Sequence, residues 1–164
     1  MDVDPQRVAF VQKEYQPIHF TACPVDGLQF EDASFDVACS SVVVHFVPDP
    51  PAYFKELHRV LKPDGRAVVM TRGEEKVRAV LRKMVGKGSP LHEEAELYRP
   101  TAAEFEQLLA ECGFVIEKRN FFYDPPFDRW NSARAWLTGI VEQVCWLFKI
   151  RSTAPYLGYL VRKA

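Results

Sequence analysis

The chain has 164 residues, 48% hydrophobic and 26% charged, with a formal net charge of -1. That length suits one domain spanning 1–164 with an ordinary core, and the composition excludes disordered, collagenous and coiled-coil classes. The balanced charge leaves no basic footprint for phosphate neutralisation, so no nucleic-acid partner is expected and a small or lipid-like substrate fits better.

The four cysteines, Cys23, Cys39, Cys112 and Cys145, stand far apart, with no Cys-x-x-Cys pair and no His at ligand spacing. They read as reduced thiols, and no metal site is expected. The acidic start, Met1-Asp2-Val3-Asp4-Pro5, lacks the basic and apolar regions of a signal peptide, and no apolar run reaches the roughly 20 residues that span a bilayer. A cytoplasmic address follows as the expectation.

In chain order, Asp4 as N-cap and Pro5 at the first helical position predict a helix over 5–15, ended by Pro17. Ile18 to Ala22 is a short strand candidate, and 24–34 a turn-rich loop. The continuous run Val37 to Val44 suits a strand buried on both faces. After Pro48-Asp49-Pro50-Pro51, the spacing of Tyr53, Phe54, Leu57, Val60 and Leu61 predicts an amphipathic helix, stopped by Lys62-Pro63-Asp64-Gly65. Ala67 to Thr71 is another buried strand, which completes a βαβ unit. A basic amphipathic helix over 74–85 and a linker at 86–90 follow. Thr101 to Glu104 is a capping box opening a helix that Gly113 closes. Strands are expected over 114–122 and 155–162, with a long helix over 129–150 between them.

The stretch Phe35-Asp36-Val37-Ala38-Cys39-Ser40-Ser41, followed by Glu56-Leu57-His58-Arg59-Val60-Leu61-Lys62-Pro63-Asp64-Gly65, resembles the middle of a class I S-adenosylmethionine-dependent methyltransferase. The similarity is to the small-molecule type that includes quinone and sterol C-methyltransferases. It implies an α/β, Rossmann-like, open and mostly parallel sheet with helices on both faces. It also implies S-adenosylmethionine as cofactor. Asp2, in Asp2-Val3-Asp4-Pro5, matches the acidic residue that accepts from the cofactor's ribose hydroxyls. Pro24 and Val25 fall where the family's adenine-contacting turn stands, with Pro24 replacing its Asp. Ser40 and Ser41 would face the methionine part. His45 would sit where the methyl group meets its acceptor, as the one candidate general base near neutral pH. Asp64 stands where the signature has its first Gly.

The family's upstream Gly-x-Gly-x-Gly turn has no counterpart, since the first of the eight glycines is Gly27. The resemblance therefore implies a fold truncated at its N-terminus, with the family's first strand missing between strands 2 and 4, an exposed edge and impaired cofactor affinity. The expected reaction is methyl transfer to a small, apolar acceptor. The alternative is a non-catalytic fragment or binding partner. The helix over 129–150, with Trp130, Trp136 and Leu147, could cover an apolar substrate or touch a membrane surface. Self-association through the exposed edge is a further expectation. A nicotinamide-dependent reductase is disfavoured, because no Gly-x-Gly-x-x-Gly is present.

Overall fold

In a computed structural model of the chain, residues 1–15, 17–72, 97–98, 100–122 and 156–164 are described. The helix expected over 74–85, the linker at 86–90 and the long helix over 129–150 lie outside the described residues.

The first helix, α1, is Pro5–Glu14, with Asp4 accepting from the Gln6 amide at 2.9 Å. None of its residues is buried. Its tie to the chain that follows is polar: the Gln12 side chain donates to the Ile18 carbonyl and accepts from the Phe20 amide, both at 2.8 Å. The strand expected over 18–22 is reduced to one parallel bridge between Asp2 and Ala22.

Strand β1 is Phe35–Ser41, helix α2 is Pro50–Val60 and strand β2 is Leu61–Arg72. The apolar run beyond Ser41 does not continue as strand. It turns at Val42 and forms a short 3-10 turn over Val44–Phe46. The helix ends at Val60, one residue short of the expected stop after Leu61, and residues 61–65 already run as irregular strand rather than as a turn. Asp64 takes φ 61°, a left-handed conformation that Asp tolerates better than most side chains. That tolerance explains how it replaces a glycine. Gly65 is required for space, because an added Cβ would meet the Lys62 carbonyl oxygen at 2.8 Å.

Helix α3, Ala102–Glu111, opens on the expected capping box: Thr101 Oγ1 accepts from the Glu104 amide and Glu104 accepts from the Thr101 amide. It closes at Gly113, whose φ of 85° favours a residue without Cβ. Strands β3, Phe114–Phe122, and β4, Tyr156–Lys163, complete the described elements.

The strands pair in the order β1-β2-β4-β3. β1 and β2 run parallel, whereas β4 is antiparallel to both β2 and β3. The expectation of a mostly parallel sheet is thus corrected: among the described residues the sheet is mixed, because β4 returns between its neighbours. The core lies on one face. There Tyr53, Phe54 and Leu57 of α2 and Phe105, Leu108 and Leu109 of α3 pack on Ala67, Val69, Leu157, Tyr159 and Val161. Phe54 is central, its ring 5.7 Å from that of Phe105 and 6.5 Å from that of Phe114. On the opposite face Val37 is 63% exposed and Val68 39%. Burial of β1 on both faces, and packed helices on both faces, are therefore not found among the described residues.

Candidate functional site

In a parallel pair the carboxyl ends of the strands open on one rim, where ligands of α/β sheets bind. Here that rim is formed by Ser41 of β1 and Thr71–Arg72 of β2. Val42 turns the chain over it with φ 59°, while its amide donates to the Met70 carbonyl at 2.9 Å. A β-branched residue in this region is an outlier that costs about 1–2 kcal/mol, and such outliers cluster at ligand sites.

Beyond Val42 the 3-10 turn drops His45 inward to 1% exposure. The Tyr98 carbonyl lies 2.8 Å from Nδ1 and can only accept, so Nδ1 carries the proton. Nε2 therefore accepts from the Arg72 amide at 2.9 Å, with Thr71 Oγ1 at 3.2 Å. The His45 carbonyl accepts from the Leu97 amide at 2.7 Å. His45 joins three segments as a neutral imidazole. To act as a base it would have to give up the Arg72 amide.

The pleat separates the two serines. Ser40 points into the core at 2% exposure and accepts from the Tyr53 hydroxyl at 2.6 Å; burial pushes the Tyr53 hydroxyl's pKa up. Ser41 points to the exposed side, its hydroxyl 3.9 Å from Met70 Sδ. The structure does not bring them to a common ligand: Ser41 faces the open rim, and Ser40 serves packing. Asp2 is half-buried, with Oδ1 accepting from the Asp4 amide at 3.0 Å and its backbone bridged to Ala22. Pro24 is exposed, whereas Val25 is half-buried against the main core.

One assembly was legible in the sequence only as a signature. Arg59 uses every guanidinium nitrogen: Nη1 donates to the Phe30 carbonyl and Asp32, Nη2 to the Leu28 carbonyl and Glu56, and Nε to Glu56, at 2.6–2.9 Å. Glu56 also accepts from the Leu28 amide at 3.0 Å. The Arg59 guanidinium, with the Leu28 amide, holds the Glu56 carboxyl below its usual range, against the opposing effect of burial. The Glu-x-x-Arg spacing puts both side chains on one helix face, from which they clamp the loop over 28–32. The clamp holds that loop just downstream of the Pro24–Val25 turn. Val42 was missed by sequence reasoning, because nothing in a Ser-Val-Val-Val run marks a left-handed residue.

Among the described residues, no group of His, Cys, Asp and Glu could hold a metal ion, and no helix is long and apolar enough to cross a membrane.

The family model for a methyltransferase domain matches residues 1–69. A Mycobacterium tuberculosis protein of unassigned activity is 31% identical over 127 residues, covering 76% of this chain and 44% of its own length. The demethylmenaquinone methyltransferase of Chlorobaculum tepidum is 26% identical over 123 residues, covering 75% and 44%. The chain thus spans less than half the length of these relatives. Among solved structures, the Haloferax volcanii complex of a methyltransferase with the Trm112 methyltransferase activator matches with a TM-score of 0.70 at 18% identity, covering 98% of this chain and 69% of that one. An S-adenosylmethionine-dependent methyltransferase of Mesorhizobium loti matches at 0.66 and 20% identity, covering 98% and 77%. The sheet order and the open rim define an α/β methyltransferase-like fold. The chain has the class I S-adenosylmethionine-dependent methyltransferase fold, and its residues 1–69 are similar to the methyltransferase-domain family.

Proposed function

We infer that the chain binds S-adenosylmethionine at the rim formed by Ser41, Val42 and Arg72, and takes part in methyl transfer to a small apolar acceptor. The observation that carries this is the strained Val42 turn. A costly backbone conformation is fixed at the carboxyl end of the parallel pair, by the Met70 carbonyl on one side and the His45 linkages on the other.

The residues fit the nucleoside half of the cofactor. The Asp2 carboxylate is already oriented by the Asp4 amide and can accept from vicinal hydroxyls, which favours charge-assisted bonds. Val25 offers backbone groups and an apolar surface to a purine, and Pro24 offers no side-chain acceptor. Ser41 can donate to or accept from the amino-acid end. When bound, the cofactor supplies an electrophilic sulfonium methyl group. Methyl transfer of this type needs positioning and exclusion of water more than a strong base, so His45 acts as the scaffold of the rim. An apolar acceptor is favoured by the family likeness to a quinone methyltransferase.

Isothermal titration with S-adenosylmethionine and S-adenosylhomocysteine tests this reading. Binding of both ligands is expected, and is weakened by Asp2→Asn. No heat change at millimolar ligand, with the fold intact by circular dichroism, would remove it.

A further inference from the structure

The turn at Pro24 and Val25 is held on both sides by one helix. Downstream of it, both backbone polar groups of Leu28 are engaged by α2: the amide donates to Glu56 at 3.0 Å and the carbonyl accepts from Arg59 at 2.9 Å. Upstream, Cys23 shares a small buried cluster with Leu28 and with Val60, the residue that follows Arg59 in α2. Backbone bonds carry the tie one step further, because the Cys23 amide donates to the Asp2 carbonyl at 3.1 Å and the Asp2 amide donates to the Thr21 carbonyl at 3.2 Å. Asp2 and the turn at 24–25 are thereby referred to the same helix face. Exposed ion pairs add little to stability. Here the Glu56 and Arg59 side chains are 21% and 29% exposed, and what they fix is position. A planar fork that donates to the Leu28 and Phe30 carbonyls, while its carboxylate partner accepts from the Leu28 amide, allows the loop one placement.

We propose that Glu56 and Arg59 are positioning residues for the nucleoside half of the cofactor, acting through Leu28 and Cys23 on the Val25 turn and on Asp2. This role rests on the rim being an S-adenosylmethionine site. His45 then sets the amino-acid side through Arg72 and the Val42 turn, and the Glu56–Arg59 pair sets the nucleoside side. The guanidinium nitrogens are already engaged by the loop, by Glu56 and by Asp32, so the pair acts through where it puts other groups. A carboxylate that accepts from two vicinal hydroxyls is sensitive to its placement, because hydrogen bonds weaken steeply as their angles close. Glu106 and Arg119 supply an internal comparison: their bidentate pair, at 2.7 and 2.8 Å, joins α3 to β3 instead of holding the loop.

Isothermal titration with S-adenosylhomocysteine should show binding by the parent chain and an affinity lower by about tenfold in Glu56→Gln, within the coupling expected among residues of one hydrogen-bonded network. In an Asp2→Asn background the same substitution should cost less than about threefold, since a disabled carboxylate gains nothing from correct placement. A general loss of stability would instead weaken binding equally in both backgrounds. Arg59→Lys keeps the charge but cannot fork onto the Leu28 and Phe30 carbonyls, so it should repeat the pattern, while Glu106→Gln should leave the affinity unchanged. In the parent chain the ligand should slow hydrogen exchange at the Leu28 amide, because linkage is reciprocal, and this measurement needs no variant to fold. A parent chain that does not bind removes the rim site and this role with it. A parent chain that binds overturns the positioning role alone if Leu28 exchange is unaltered, if Glu56→Gln leaves the affinity unmoved, if its loss is equal in the two backgrounds, or if Glu106→Gln matches it.

Discussion

At the scale of single residues, the buried polar groups are matched in pairs whose value lies in being complete. The Tyr53 hydroxyl and Ser40 Oγ meet at 2.6 Å with both groups inside the core. Removing one partner strands the other, at a cost of about 1–3 kcal/mol, while removing both is nearly neutral. Tyr53→Phe should therefore lower the urea midpoint, and Tyr53→Phe with Ser40→Ala should recover most of the loss. With Ser40→Ala measured alone to complete the cycle, a double-variant loss equal to the sum of the two single losses would show that the bond contributes nothing. His58 makes a second case. Burial, then the nearby Lys163 charge, push its pKa below the ordinary 6.5, partly opposed by a hydrogen bond to the Gly113 backbone. Its ring stands edge-on to Phe114 at 5.3 Å. A depressed histidine binds fewer protons folded than unfolded, so its contribution is complete above 6.5 and declines as pH falls toward the folded-state value. Stability measured across that window should fall with acid. His58→Gln should flatten the slope there, and a slope unchanged by that substitution would refute the assignment.

At the scale of elements, the Glu56–Arg59 pair decides whether the loop over 28–34 is part of the fold or a loose connection. The loop is attached to α2 by the guanidinium contacts, by the Leu28 amide on Glu56, and by the Ala33 and Ser34 amides on the Arg59 and Val60 carbonyls. Glu56→Gln keeps the shape and removes the charge, which costs about 1–3 kcal/mol for a charged hydrogen-bond acceptor. Hydrogen exchange should then speed up at Leu28, with β2 unchanged; unaltered protection at Leu28 would refute the clamp. This element also shows how far a single sequence reaches. The extents of α2 and α3 were legible because period, proline and capping box are local signals, and α3 begins at Ala102, immediately after its cap at Thr101. The opposite orientations of Ser40 and Ser41 were implicit in the two-residue period of a strand. The role of His45 was not legible, because its partners Arg72 and Tyr98 lie 27 and 53 residues away and bind through backbone groups that every residue carries. The exposure of Val37 was equally hidden: an apolar run states what a strand can bury, while its neighbours decide what it does bury.

At the scale of the whole molecule, stability is unevenly distributed, and the division follows the core. β2, β4, α2 and α3 share one continuous cluster of buried side chains. The N-terminal part is tied within itself by the Asp2–Ala22 bridge and the Gln12 hydrogen bonds, and meets the rest through a small cluster of Cys23, Leu28 and Val60 and through Val25 on the rim of the main core. Helix α1 buries no residue, and short helices without a packed face are marginal in water. Segments with few buried contacts open at low free energy, whereas amides under the main cluster exchange only on global unfolding. Native-state hydrogen exchange should therefore sort into two groups: amides of Val69, Leu157 and Val161 reporting the global stability, and amides of α1 together with Cys23 exchanging faster by at least tenfold. If cofactor binds at the rim, the second group should slow on addition of S-adenosylhomocysteine, because Asp2 belongs to the loosely held part while Ser41 and Arg72 belong to the firm one. A ligand that joins the two raises the opening free energy of the weaker by the amount its binding supplies. Protection of α1 equal to that of β2 in the free chain would contradict the division.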